Sequence, residues 1–168
     1  MDKEKVVLIT GGAKRIGAYI ARYFHAKGFN IILHFNSSAK EADQLKSDLL
    51  SIRKNSCRTI QANFSDESSF KQALKEILDS TERLDVLINN ASGFYPTPIE
   101  SATKEQWLTL LDTNATVPLL LIKALKPLLE ESKGCVINIS DSEVSSGIPE
   151  YSLYTAAKAA LESLTKSL

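Results

Sequence analysis

The chain has 168 residues with 20 basic and 20 acidic side chains, so its formal net charge is zero at neutral pH. That length suits one domain burying roughly 70% of its unfolded surface, without disulfide staples. Balanced charge removes the case for nucleic acid or an anionic membrane as partner, so a ligand's charge must be met locally. The amino-terminal run MDKEK is polar and lacks the apolar stretch of a secretory signal, which fits a cytoplasmic chain.

The first element is Val6 to Ile9, a β-branched run closed at once by Gly11 and Gly12, and it reads as a buried central strand. The two glycines are expected to turn the backbone with positive φ. Gly17 is expected to let the following helix approach the sheet, leaving free N–H groups that attract phosphate. Gly11 and Gly17 lie six apart, and Arg15 stands where a dinucleotide fingerprint would place its middle glycine. A guanidinium there adds a fixed charge and a planar fork for a further phosphate. The glycine pattern alone also fits a plain strand-to-helix turn.

Arg15 to about Lys27 reads as a helix with Ile16, Ile20 and Phe24 on one face and Gly28 as its cap. Asn30 to Phe35 is the second strand. Ser38 and Glu41 have capping-box spacing and open a helix with Ala42, Leu45, Leu49 and Ile52 on one face. Cys57 to Asn63 is strand three, Phe70 to Leu78 marks the third helix, and Leu84 to Asn89 is strand four. Thr103 and Gln106 form a second box before a helical stretch from Lys104 to about Ser132, which Pro118 and Pro127 must kink or break. Within it, Val117 to Ile122 is too short to span a bilayer before Lys123. Cys135 to Ser140 is strand five, and a last helix begins near Tyr151 with alanines and leucines on a face that must be covered. Both cysteines read as reduced core thiols, and His25 and His34 as ordinary helix and strand residues.

Strand and helix signals alternate throughout, which argues an α/β fold. The expectation is a Rossmann-like doubly wound parallel sheet in the order 3-2-1-4-5, with helices on both faces. Ligands of such sheets bind beyond the carboxyl ends of the strands, near the reversal of order between strands one and four. Strand two there ends in Asn36, Ser37 and Ser38 without a carboxylate. Lys14, Arg15, Ser37 and Ser38 offer donors, so the cofactor reads as NADPH rather than NADH, although Ser38 can also cap its helix.

Tyr154 and Lys158 are four apart on one helix face, where an ammonium is expected to lower the phenol pKa and make it a proton donor near neutrality. The same spacing also describes an ordinary surface pair. Asp141, thirteen residues before Tyr154, can shuttle protons or accept from amino and ring N–H groups, or simply be solvated. Asn114 in the kinked helix can expose a carbonyl or bridge a water.

In this order, Thr10-Gly11 to Gly17, Asn89-Asn90-Ala91, Asn114 and Tyr154-x-x-x-Lys158 resemble the short-chain dehydrogenase/reductase family across essentially the whole chain. TGGAKRIG at 10–17, NNASGFYPTP at 89–98 and Asp141 in place of the usual serine are most similar to the pteridine and dihydromonapterin reductases. The resemblance implies that Tyr154 donates the proton, Lys158 holds the nicotinamide ribose and tunes Tyr154, and Asn114 supports a water relay. It also implies that Ser92 and Phe94 line the pterin site, with Phe94 stacking on the pterin, and that Asp141 gives a second proton route. The cofactor contacts implied are Gly11, Lys14, Arg15, Ile16, Gly17, Asn36, Ser37, Ser38, Asn63, Asn90, Ala91, Ser92, Tyr154 and Lys158, with no metal. Two departures are visible: Ser37 where pteridine reductases usually carry arginine, and Asn63 where many members carry aspartate.

The expected function is therefore NADPH-dependent reduction of a pteridine C=N bond. Reduction of a 3-oxoacyl or small ketone carbonyl is the same-family alternative, and a non-catalytic nucleotide-binding module is the alternative of another class. Residues 1–168 are expected to form one NADP-binding domain lacking the last strands and covering loop of its family, assembling as a homodimer or homotetramer.

Overall fold

The structure is a computed structural model describing residues 4–168; Met1 to Lys3, the start of the polar amino-terminal run, lie outside the described residues. Its elements are β1 (Val6–Ile9), α1 (Arg15–Ala26), β2 (Asn30–Phe35), α2 (Ala39–Ile52), β3 (Cys57–Gln61), α3 (Glu67–Ser80) and β4 (Val86–Asn89). They are followed by α4 (Lys104–Leu111), a π-type turn (Asp112–Thr116), α5 (Val117–Ser132), β5 (Cys135–Asn138) and α6 (Ser152–Ser167). The five strands are all parallel in the order β3-β2-β1-β4-β5, as their alternation with helices predicts.

Buried β1 divides its side chains between two cores, which is why it reads as a continuous apolar run. Val7 and Ile9 join Ile31, Leu33 and Ile88 beneath α1 and α2. Val6 and Leu8 join Ile32, Ile60 and Leu87 on the other face, beneath α3 and α5. Along β5, an edge strand, the side chains are exposed or half-buried, and Cys135 is exposed rather than the core thiol expected. Cys57 is buried, and burial pushes its thiol up to about 11.

Ile20 and Phe24 of α1 and Ala42, Leu45 and Leu49 of α2 face the core as expected, but one residue of each expected face, Ile16 and Ile52, does not. α1 turns Gly17, Ala21 and His25 inward, and Ile16 is 62% exposed, because small residues let the helix lie close to the sheet. α2 buries Ala42, Leu45 and Leu49, whereas Ile52 at its last turn is exposed. The long helical stretch breaks at the π turn, which ends two residues before Pro118, a residue with no N–H to return to the Asn114 carbonyl. By length and composition, residues 104–132 are long and apolar enough to cross a membrane, but here Leu121, Leu125 and Leu129 are buried against the sheet.

Candidate active site

The carboxyl ends of β1, β2, β4 and β5 open onto a crevice of about 690 Å³ at the strand-order reversal. On one side, Gly11 has φ +59 and lies so close to β4's exit that a Cβ would sit 2.9 Å from the Ala91 Cα. A Cβ on Gly17 would fall on the Gly11 carbonyl and lie 2.8 Å from Asn90 Nδ2. The close approach is therefore steric, as the spacing predicts. Gly12 does not have the positive φ expected of it; Arg15 does, at +50. That left-handed conformation is where a fingerprint glycine would be at ease, and an arginine holding it stores about 1–3 kcal/mol of strain while projecting its charge at the crevice. Thr10 ties the loop to β4: its hydroxyl accepts from the Asn90 and Ala91 amides at 3.0 Å each, and its carbonyl accepts from Asn90 Nδ2 at 2.9 Å.

At the end of β2, Asn36, Ser37 and Ser38 line the crevice beside Lys14 and Arg15. The Ser38–Glu41 capping box does not form. Ser38 makes no side-chain cap bond, and the Glu41 carboxylate, which would complete the other half of the box, pairs instead with Lys14 at 2.9 Å; that bond holds Glu41 below its ordinary pKa. The Thr103–Gln106 box, by contrast, is complete in both directions. Asn63 is not among the residues lining the crevice; its carboxamide oxygen accepts from the Ser65 amide.

Across the crevice, β5 and α6 bring Asp141, Tyr154 and Lys158 together. The Tyr154 hydroxyl donates to Asp141 Oδ2 at 2.9 Å, and Lys158 Nζ lies 5.9 Å from the Tyr154 ring centroid while donating to the Ile139 carbonyl at 2.7 Å. The pKa of Tyr154 moves opposite to expectation. Burial first, then the hydrogen bond to Asp141 and its charge, push it up to about 12, with the Ser92 hydroxyl opposing. Lys158 is pulled down to about 8 by burial, against the Asp141 charge. Asp141 is held below its usual range by the Glu143 amide and then by the Tyr154 hydroxyl. At neutral pH the group is thus a protonated phenol bonded to a carboxylate, and Asp141 acts first as an acceptor.

Asn114 is fully buried and does not line the crevice. Its Nδ2 donates to Gly93 O at 3.0 Å and to Leu110 O at 2.9 Å, and its Oδ1 accepts from Ser92 Oγ at 2.7 Å, so it anchors the loop after β4. Phe94, 56% exposed, stacks on Tyr151 at 4.4 Å and meets the Tyr154 ring edge-on at 4.8 Å.

Two residues not singled out from the sequence position this wall. Thr97 is buried; its amide donates to the Glu150 carbonyl and its hydroxyl accepts from the Leu153 amide, tying the β4 loop to the start of α6. Ser140, which lines the crevice, donates to Glu162 at 2.7 Å one turn beyond Lys158. Neither has a local sequence signal, since each partner comes from a distant segment. His34 also lines the crevice and is buried, not an ordinary strand residue.

A profile of the family described as short chain dehydrogenase matches residues 5–168. Pteridine reductase 1 of Leishmania tarentolae is 32% identical, covering 96% of this chain and 69% of that protein. A 3-oxoacyl-acyl-carrier-protein reductase of Synechocystis sp. is 30% identical, covering 98% of this chain and 66% of that protein. One from Staphylococcus aureus is also 30% identical, covering 99% and 68%. The chain thus spans about two thirds of the length of these curated relatives.

Proposed function

The chain belongs to the short-chain dehydrogenase family of oxidoreductases, and from that premise we propose that it reduces a C=N bond of a pteridine with NADPH. The observation that carries the choice of substrate is the 2.9 Å bond between Tyr154 and Asp141. A hydroxyl at position 141 could only polarise a carbonyl, whereas a carboxylate can also pair with the amino and ring N–H groups of a heterocycle.

The crevice suits a dinucleotide. α1 begins without a side-chain cap, so its first-turn N–H groups are available to an anion, and Gly11 and Gly17 keep the approach narrow. Lys14, Arg15, Ile16 and Gly17 would hold the phosphates, with Gly11 lining their approach; Asn36, Ser37 and Ser38 would hold the adenosine ribose; and Asn90, Ala91, Ser92, Tyr154 and Lys158 the nicotinamide end. When bound, the reduced nicotinamide supplies the hydride. Donors at Lys14, Arg15, Ser37 and Ser38, with no carboxylate at the end of β2, favour the 2′-phosphorylated form.

As the carbon of the C=N bond gains its hydride, the π electrons move to nitrogen, which takes the Tyr154 proton. Burial makes that phenol a reluctant donor, and the Lys158 ammonium beside it stabilises the phenolate as it forms. Asp141 turns from the phenol to the substrate's N–H groups. A second proton route through Asp141 begins with proton uptake, because its carboxyl is ionised at neutral pH. Asn114 holds the Ser92–Gly93 loop that forms the floor of the substrate site, and a relay reloading Tyr154 would pass beside it. Phe94 would flank the pteridine, and the protein would work as a homodimer or homotetramer.

The relatives that are 3-oxoacyl-acyl-carrier-protein reductases favour carbonyl reduction as the second reading. Assaying NADPH consumption with a dihydropterin and with a 3-oxoacyl thioester separates the two. We expect the higher kcat/KM with the dihydropterin; a preference for the thioester favours the second reading.

A further inference from the structure

His34 sits in β2 with 3% of its surface exposed, and both ring nitrogens are engaged. Nδ1 accepts from the Gly11 amide at 3.3 Å, and Nε2 lies 3.0 Å from the Ala62 carbonyl, to which it must donate. The ring lies flat on Phe64, with centroids 3.7 Å apart and planes 8° apart. The His34 carbonyl also accepts from the Gly12 amide at 2.9 Å. The first two amides of the phosphate loop therefore both point back at residue 34, and an incoming anion must be met by amides further along, at the start of α1.

We propose that His34 is a positioning residue of the dinucleotide site, a neutral imidazole clamp holding the phosphate loop against β2 and the exit of β3. An aliphatic residue would fill the same space but leave the Gly11 N–H and the Ala62 carbonyl unpaired in a buried place. Burial pulls the imidazole down to about 4, so the Nδ1 lone pair is present at neutral pH. The same residue leads through Phe35 to Asn36, Ser37 and Ser38, so the clamp sets the phosphate loop relative to the ribose-binding segment. This inference rests on the reading of the crevice as a dinucleotide site.

His34→Phe keeps the stacking and removes both ring hydrogen bonds; His34→Gln restores an acceptor and a donor without the ring. We expect the phenylalanine variant to raise the KM for NADPH about tenfold with kcat at saturating cofactor nearly unchanged. The glutamine variant should fall within about twofold of wild type. Nitrogen NMR of the wild-type ring should show a neutral imidazole with its proton on Nε2, a readout independent of how either variant folds. A proton on Nδ1, a glutamine variant binding tenfold more weakly, or a folded phenylalanine variant with unchanged cofactor KM would each overturn the clamp. Wild-type protein that binds neither NADPH nor NADH would overturn the cofactor reading and the clamp with it. Wild type that binds dinucleotide while the folded phenylalanine variant binds as well defeats the clamp alone.

Discussion

On the side of the loop between β1 and α1, the crevice is shaped by backbone. Gly11 and Gly17 hold positions that a Cβ would fill, Arg15 takes a glycine's conformation, and the Gly11 and Gly12 amides are tied to residue 34. On the β5–α6 side it is shaped by ionisable side chains, Asp141, Tyr154 and Lys158, whose protonation is set by burial and by one another. The first wall offers a fixed shape for a bound dinucleotide. The second provides a proton inventory, and its behaviour depends on everything packed around it. Substitutions on the first wall should therefore move affinity and stability, and substitutions on the second should move turnover.

The largest effect should come from the second wall. Tyr154→Phe removes the hydroxyl proposed as proton donor and its Asp141 bond together, and should lower kcat about 10³-fold while leaving NADPH affinity within about twofold. Comparable losses in both would erase the distinction between the walls. The next effect belongs to the first wall and appears in acid. His34 falls from its ordinary 6.5 to about 4 in the folded protein, so between those values the unfolded chain takes up a proton that the folded one refuses. Its contribution is present above pH 6.5 and is lost as pH falls towards 4, amounting to roughly 3 kcal/mol across that window. Denaturation as a function of pH should show that slope in wild type and a flatter one in His34→Gln. The smallest effect is at the rim: Glu41→Gln frees Lys14 from its carboxylate partner and should lower the KM for NADPH about two- to threefold, leaving that for NADH unchanged. An equal gain with both cofactors would show that Lys14 does not discriminate between them.

The same contrast governs what could be read from the residues alone. Strand order was legible because buried parallel strands are short apolar runs separated by helices, and the glycine spacing was legible because a strand-to-helix turn packed against a neighbouring strand leaves no room for a Cβ. The Thr103–Gln106 box was legible because both of its bonds lie within one short segment. The Ser38–Glu41 box has the same local pattern but does not form, and its carboxylate pairs instead with Lys14 from another segment. The helix spacing of Tyr154 and Lys158 placed both at the crevice but gave the wrong sign for the phenol, because burial and Asp141 outweigh the ammonium. Thr97 and His34 were invisible as site residues, since their partners at 150, 153, 11 and 62 come together only in the folded sheet.

We propose that the Asp141 carboxylate, paired with Tyr154, suits this site to a heterocycle rather than a ketone. Measuring kcat/KM for a dihydropterin and a 3-oxoacyl thioester in wild type and in Asp141→Ser tests it most directly. The serine variant should lose about 10- to 100-fold on the pterin and hold or gain on the thioester, reversing the preference. An unchanged ratio of the two would contradict it.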